Sequence, residues 1–370
     1  MTDIFLYGSL LDDGLRAVVF AADVALRPAQ LDAHRVVWGE GQDFPLLQVA
    51  AGHVAQGAVV TVTDDVLARM DFYEGGFGYE LRDVTFTDGS AAQAWFPRGG
   101  LWQAGAQWSL ADWQAQHGAL SREAAREVMD YMGRYSPEDV LRFWHMIRVR
   151  ASARVAAAGR VVPSWSGMTR DDVALDQLHR PYTNFFAMEE YDLRFRRFDG
   201  SMSEEINRGV FVASDAALVL PYDPLRDRVM VIEQFRAGPY GRGDAAPWPL
   251  EPVAGRVDPG ETPETAARRE AEEEAGLTLT GLEKIAEGYS SPGSSSEYFY
   301  VYLGLADLPD AAQTVAGKAE EAEDIRSHVL DWDVFAAMMQ RGELTVLPLV
   351  LAAGWLAMNR DRLRSQAGTR

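Results

Sequence analysis

Between residues 255 and 277 the chain reads GRVDPGETPETAARREAEEEAGL, and no other stretch restricts its fold so tightly. Residue types stand at set intervals: Gly255, Glu261, Arg269-Glu270-Ala271, Glu273-Glu274 and Gly276-Leu277. Thr262-Pro263 predicts a helix start, with Pro at the first helical position and Glu264 in the first turn. Gly276 predicts the residue just past its end. Inside that helix Glu270, Glu273 and Glu274 are three and four positions apart and share one face. Ala267, Ala271 and Ala275 form a neighbouring stripe of small side chains, which lets the helix sit close to a sheet. Carboxylates on one face repel by roughly 0.2–0.5 kcal/mol per pair, a cost that cations between them remove. Hard oxygen ligands suit Mg²⁺, with Mn²⁺ as a substitute; both combine a few protein carboxylates with substrate phosphates. A bare acidic run is usually a solvated face. The complete spacing is what separates this one from that reading.

The chain's 370 residues, 47% apolar and 24% charged, are enough for two globular domains. A net charge of −20 leaves no basic surplus for a nucleic-acid polymer. It also means that an anionic substrate must be met by metal ions or local arginines. The absence of Cys rules out disulfides, thiolate catalysis and Cys-ligated zinc or iron–sulfur centres, and fits a reducing compartment. The opening MTDIFLYGSLLDDG lacks the pattern of a signal peptide, and the longest apolar stretch, near Leu347–Met358, is too short to span a bilayer. A soluble, cytoplasmic protein with no membrane partner is expected.

In residues 1–120, Ile4-Phe5-Leu6-Tyr7 predicts a buried strand running into Gly8-Ser9-Leu10 and a helix-like DDGLRAVVF segment. Such a turn offers backbone N–H groups to an anion such as a carboxylate. Gly52–Val62 alternates like a strand, and Thr63-Asp64-Asp65 caps a short helix ending at Glu74-Gly75. Tyr79–Phe86 and Ala91–Phe96 predict two further strands. Tyr7-Gly8-Ser9-Leu10, the pattern leading to Asp71-Phe72-Tyr73-Glu74-Gly75, and Tyr79 with Arg82 behind it resemble the gamma-glutamylcyclotransferase-like (AIG2-like) family. The resemblance implies a mixed β-barrel/α fold. It makes Tyr7, Gly8, Ser9 and Leu10 the cavity for an amino-acid-like group, and Glu74 the acid/base that closes a five-membered lactam. A glutamate in a partly apolar pocket would have the raised pKa such work needs; otherwise Glu74 merely ends a helix. Residues 121–184 are expected to be a helical extension or linker, with helix starts at Ser121 and Ser136-Pro137.

In residues 185–370, several strand-like runs surround the acidic helix: Tyr191–Phe198, Ala216–Pro221, Arg228–Phe235, Tyr298–Leu305 and Ile325–Leu330. Two helical segments follow. This half resembles ADP-ribose pyrophosphatases of the Nudix superfamily. The likeness covers the Nudix box at 255–277, Phe198–Ser203, Leu220–Pro224, Ile232–Arg236, Glu251–Gly255, Ser291-Pro292-Gly293 and Glu323–Arg326. Pro292, fifteen residues past Leu277, marks the ADP-ribose subgroup. The resemblance implies an α/β/α sandwich, making the whole a two-domain α/β and α+β chain. It implies Mg²⁺-dependent hydrolysis of ADP-ribose to AMP and ribose 5-phosphate. The metal would be held by Glu270, Glu273, Glu274 and the carbonyl of Ala254. Glu323, with Glu321 as second candidate, would be the base, while Arg236 reaches phosphate and Glu297 lies near the terminal ribose. Arg269 is expected to pair with carboxylates such as Glu261. Where relatives carry an arginine near the adenine, this chain reads Val212-Ala213-Ser214, so base recognition is expected to differ. Such proteins exchange N-terminal strands, which predicts a homodimer through this half. The alternatives are a bifunctional enzyme with cyclotransferase activity, a sensor that binds ADP-ribose without turnover, and hydrolysis of another nucleotide such as NADH, a sugar nucleotide or a dinucleoside polyphosphate.

Overall fold

A computed structural model describes residues 1–160, 165–310, 315–316 and 324–368. The chain has two domains of mixed sheets and helices. By proximity they comprise Met1–Gly167 with Thr183–Phe185, and Met168–Tyr182 with Phe186–Arg370.

The first unit carries β1 (Thr2–Leu6), α1 (Asp13–Phe20), β2 (Arg27–Gly39), β3 (Pro45–Val62), α2 (Asp64–Gly75), β4 (Tyr79–Thr85), β5 (Ala91–Pro97) and β6 (Ala104–Gln107). Helices α3 (Leu110–Trp113), α4 (Ala119–Asp130) and α5 (Pro137–Gly159) complete it. Its sheet runs β4-β5-β1-β3-β2-β6, with β1 and β5 parallel. Ile4, Phe5 and Leu6 are buried because β1 lies inside the sheet, between β5 and β3. α2 starts as expected, the Thr63 hydroxyl accepting from the N–H of Val66. α5 likewise has Ser136 as its cap and Pro137 in its first turn. Ser121 starts nothing: it lies inside α4, which continues from a wide π turn over Gln114–Gly118. Ala124, Ala125, Val128, Ile147 and Ala151 join the core of this unit, so α4 and α5 are part of its packing.

The second unit opens with the three-stranded sheet β7 (Val173–Thr183), β8 (Ala187–Phe195) and β9 (Ile206–Val212). It continues with β10 (Ala216–Asp223), β11 (Arg228–Glu233), α6 (Ala237–Arg242), β12 (Leu250–Glu251), β13 (Val253–Arg256) and α7 (Pro263–Ala275). Then follow β14 (Gly281–Tyr289), β15 (Tyr298–Leu305), β16 (Val315–Ala316), β17 (Ile325–Asp331), α8 (Trp332–Gln340) and α9 (Leu347–Gly368). The large sheet is ordered β14-β15-β10-β11-β17-β16, with β12 on β11 and β13 on β10. β10 pairs parallel with β15, in register from Ala216–Phe299 to Tyr222–Leu305. Two apolar clusters involve this sheet. Ala217, Val219, Met230 and Ile232 pack with the alanines of α7, and Leu220, Tyr222 and Val231 pack with Phe335, Leu349 and Leu356. No helix among the described residues is long and apolar enough to cross a membrane.

Candidate active site

α7 begins and ends where its caps dictate. The Thr262 hydroxyl accepts from the N–H of Thr265 at 3.2 Å, Pro263 fills the first turn, and Gly276 adopts φ 64°. The Gly276 N–H then reaches the Glu272 carbonyl at 3.0 Å and the Leu277 N–H that of Ala271 at 2.9 Å, closing the orphan end as a left-handed cap does. Ala266, Ala267 and Ala271 are wholly buried, so the helix settles against β13 and β10.

That close approach shapes the acidic face. A methyl group built on Gly255 would stand 1.9 Å from Oε1 and 2.0 Å from Cδ of Glu270. The Glu270 carboxylate therefore rests on bare backbone, a place only glycine leaves open. Glu274 is buried, and its Oε2 accepts from the Ala254 N–H at 3.1 Å.

Arg269 gathers the remaining charges. Its guanidinium donates to Glu261 at 3.0 and 2.9 Å, to Glu270 at 2.5 Å, to Glu273 at 3.2 Å and to the carbonyl of Arg256 at 3.0 Å. The hydrogen bonds to Glu261, with the Glu270 charge, hold Arg269 firmly protonated. Burial alone would raise the Glu261 pKa, but Arg269 and the Asp258 N–H bring it below the usual carboxylate range. The pairing of Arg269 with Glu261 is thus as expected.

The donor set fits a divalent cation. It consists of hard carboxylate oxygens beside a glycine cradle, and the positive charge the face demands is already supplied by a guanidinium bridging Glu270 and Glu273. Among the described residues no three Asp, Glu or His side chains are grouped as a formed metal cage; the box carboxylates are turned to Arg269 and to the Ala254 N–H.

Arg236 forms a two-pronged pair with the buried Glu251, at 2.8 and 2.7 Å. Glu297 lies within its electrostatic reach. Burial lifts the Glu297 pKa against the opposing effects of a Ser290 hydrogen bond and the Arg236 charge. Glu251 was missed as a site residue because nothing local marks it as the partner of Arg236. Phe235 also stacks edge-on with Trp248, 5.5 Å between ring centres, an exposed aromatic contact across a Gly/Pro-rich loop. Glu321 and Glu323 lie outside the described residues.

A second constellation sits in the first unit. β1 delivers Tyr7-Gly8-Ser9-Leu10 to the wall of a cavity enclosing about 770 Å³, its open mouth included. Gly8 is required there, since a Cβ would meet Cγ of Pro45 at 2.5 Å. The Tyr7 hydroxyl donates to the Trp95 carbonyl at 2.7 Å and that of Tyr79 to the Pro45 carbonyl at 2.6 Å. The start of α1 already holds an anion, the Asp12 carboxylate, which accepts from the Leu15 N–H and pairs with Arg122. Glu74, near the end of α2, also lines the cavity. Its carboxyl forms no hydrogen bond or ion pair among the described residues, and burial pushes its pKa up to about 8. Asp43 and Arg148 line the same space and pair at 2.6 Å; nothing local in the sequence marks either as a site residue.

Comparison with known proteins separates the two halves. Residues 213–348 match the NUDIX domain, and residues 4–113 match the gamma-glutamyl cyclotransferase, AIG2-like family. An ADP-ribose pyrophosphatase of Escherichia coli K12 is 36% identical over 197 residues, which are 53% of this chain and 93% of that protein. One from Haemophilus influenzae is 33% identical over 185 residues, 50% of this chain and 85% of the relative. A GDP-mannose pyrophosphatase of Escherichia coli is 30% identical over 176 residues, 48% of this chain and 90% of the relative.

Proposed function

The chain belongs to the Nudix hydrolase family, with an AIG2-like gamma-glutamyl cyclotransferase domain ahead of the hydrolase, and on that premise we propose that it hydrolyses ADP-ribose to AMP and ribose 5-phosphate. The observation that carries the proposal is the cradle at Gly255, where Glu270 is pinned beside Glu273 and Glu274 on one helical face. Relatives acting on ADP-ribose favour that substrate over GDP-mannose by their higher identity. The same reading takes the second unit as an α/β/α sandwich working as a homodimer, and the first as a mixed β-barrel/α fold.

Glu270, Glu273, Glu274 and the Ala254 carbonyl would hold Mg²⁺, or Mn²⁺ in its place, which when bound neutralises a diphosphate and acidifies water. Arg269 keeps Glu270, Glu273 and Glu261 oriented. Glu274 fixes the backbone at Ala254. Arg236, steadied by Glu251, presents its guanidinium to a phosphate oxygen. Glu323, with Glu321 second, takes the proton of the attacking water. One P–O bond of the diphosphate breaks as the new one forms, and each product leaves with one phosphate.

Incubation of the purified protein with ADP-ribose and Mg²⁺, beside a Glu270→Gln/Glu274→Gln variant, tests this reading. AMP and ribose 5-phosphate from the native protein alone are expected. Cleavage of other nucleoside diphosphates but not ADP-ribose would remove the substrate and keep the chemistry.

A second reading concerns the first unit. The uncompensated Glu74 carboxyl in its cavity favours acid/base work there, as in gamma-glutamyl cyclotransfer. Release of pyroglutamate from a gamma-glutamyl amide, lost in Glu74→Gln, is the expected result.

A further inference from the structure

The cavity of the first unit holds more than Glu74. Its charged lining residues are Asp43, Glu74 and Arg148. Asp43 lies between β2 and β3, and Arg148 lies on α5, beyond the residues matched to the cyclotransferase family. They pair at 2.6 Å with side chains still 18% and 25% exposed. The pair is therefore neither sealed in the core nor free in solvent. The Arg148 guanidinium also lies 5.9 Å from the centre of the Trp144 ring, and Trp144 packs edge-on against Phe77 at 4.8 Å. That stacking keeps the guanidinium in place when Asp43 is given another partner. The hydroxyls of Ser9 and Ser121 line the same space and make no side-chain hydrogen bond among the described residues.

Charge decides what such a cavity admits. A simple anion would meet Asp43, and a simple cation would meet Arg148. Beside aromatic walls, in a partly closed cavity, water screens either repulsion only in part. Only a ligand that brings both signs replaces both halves of the ion pair and leaves neither half-buried charge alone.

We propose that Asp43 and Arg148 are the head-group subsite of this cavity, exchanging their mutual ion pair for the ammonium and carboxylate of a zwitterionic α-amino acid ligand. The inference rests on the second reading above, that Glu74 works on a ligand held in this cavity. It adds that a helix outside the family-matched segment selects that ligand. No bond is made or broken in the step: Asp43 accepts from the ammonium and Arg148 donates to the carboxylate.

The test uses the full chain and three probes in calorimetric titration: L-glutamine; glutaramate, which lacks the ammonium; and 4-aminobutanamide, which lacks the carboxylate. The native protein should bind L-glutamine about 10- to 100-fold more tightly than either, the range for losing one charged hydrogen bond. The double variant Asp43→Asn/Arg148→Met leaves no lone charge, so its thermal melt should match the native one, and it should treat the three probes alike within about threefold. Arg148→Lys, with the charge retained, should keep the preference. Equal binding of the probes by the native protein, no binding at all, or a preference surviving in the double variant would overturn the subsite. Glu74→Gln should keep the preference and lose pyroglutamate release. If it releases pyroglutamate at the native rate, the Glu74 reading falls and the binding result judges the subsite by itself.

Discussion

Replacing Gly255 by Ala separates position from stability in the acidic site. The added methyl would sit 1.9 Å from Glu270 Oε1, while ordinary contact begins near 3.4 Å, so the carboxylate must retreat by about 1.5 Å. What it meets is the far end of a flexible side chain, which can swing away cheaply. Overpacking of this kind costs about 1–3 kcal/mol, and the lost chain entropy of glycine returns roughly 0.4–1. A net loss of about 1 kcal/mol lowers the melting temperature of a unit this size by roughly 2–4 °C. The catalytic cost is of another order. A displacement of about 1 Å at a reacting centre costs on the order of 100-fold, and the 2.5 Å bond from Arg269 to Glu270 is lost with it. The assay is the rate of AMP release from ADP-ribose at saturating Mg²⁺, run beside a thermal melt. A near-native melt with a rate about 100-fold lower is expected. A rate within about threefold of native would show that the carboxylate over Gly255 has no part in turnover.

Three further outcomes can be measured, the last on the proposed homodimer. Arg269→Met leaves Glu261 and Glu270 without their cation and should cost about 2–3 kcal/mol, read as a lower denaturation midpoint; the value falls below that for a sealed pair because Arg269 keeps 27% side-chain exposure. Burial raises the Glu74 pKa from 4.5 to about 8, so the folded state holds a proton the unfolded state has released. The first unit should therefore lose stability as pH rises from about 4.5 through 8, and Glu74→Gln should flatten that fall in pH-dependent melts. Light scattering should give about twice the 40.9 kDa chain mass; a monomeric mass refutes the exchanged-strand dimer.

The acidic helix was legible because everything that defines it is local. Its cap, its proline, its carboxylate spacing and its closing glycine lie within one short stretch, and α7 occupies the span they dictate. Strands were harder to read. β2 bulges between Asp32 and His34, which breaks the alternation a strand is recognised by. β7 falls where a helical extension or linker is expected, yet Val173–Thr183 is a strand. It is exposed along nearly its whole length and carries Pro181, so it has neither a buried face nor a strand-like composition. Long-range pairs left no trace at all. Asp43 and Arg148 meet only because a turn after β2 and a helix near the end of the unit face one cavity, and Arg236 finds Glu251 only through the pairing of β11 with β12.

The parallel pairing of β10 with β15 has a consequence for how the chain is made. β10 ends at Asp223, while its parallel neighbour begins only at Tyr298. At about 5–20 residues per second, that neighbour leaves the ribosome roughly 4–15 s later. Throughout that interval a strand that ends up almost wholly buried has an unclaimed edge, and the acidic helix that depends on it has half a floor. A nascent chain halted before residue 298 therefore exposes an unpaired apolar strand, the kind of surface that recruits chaperones or aggregates.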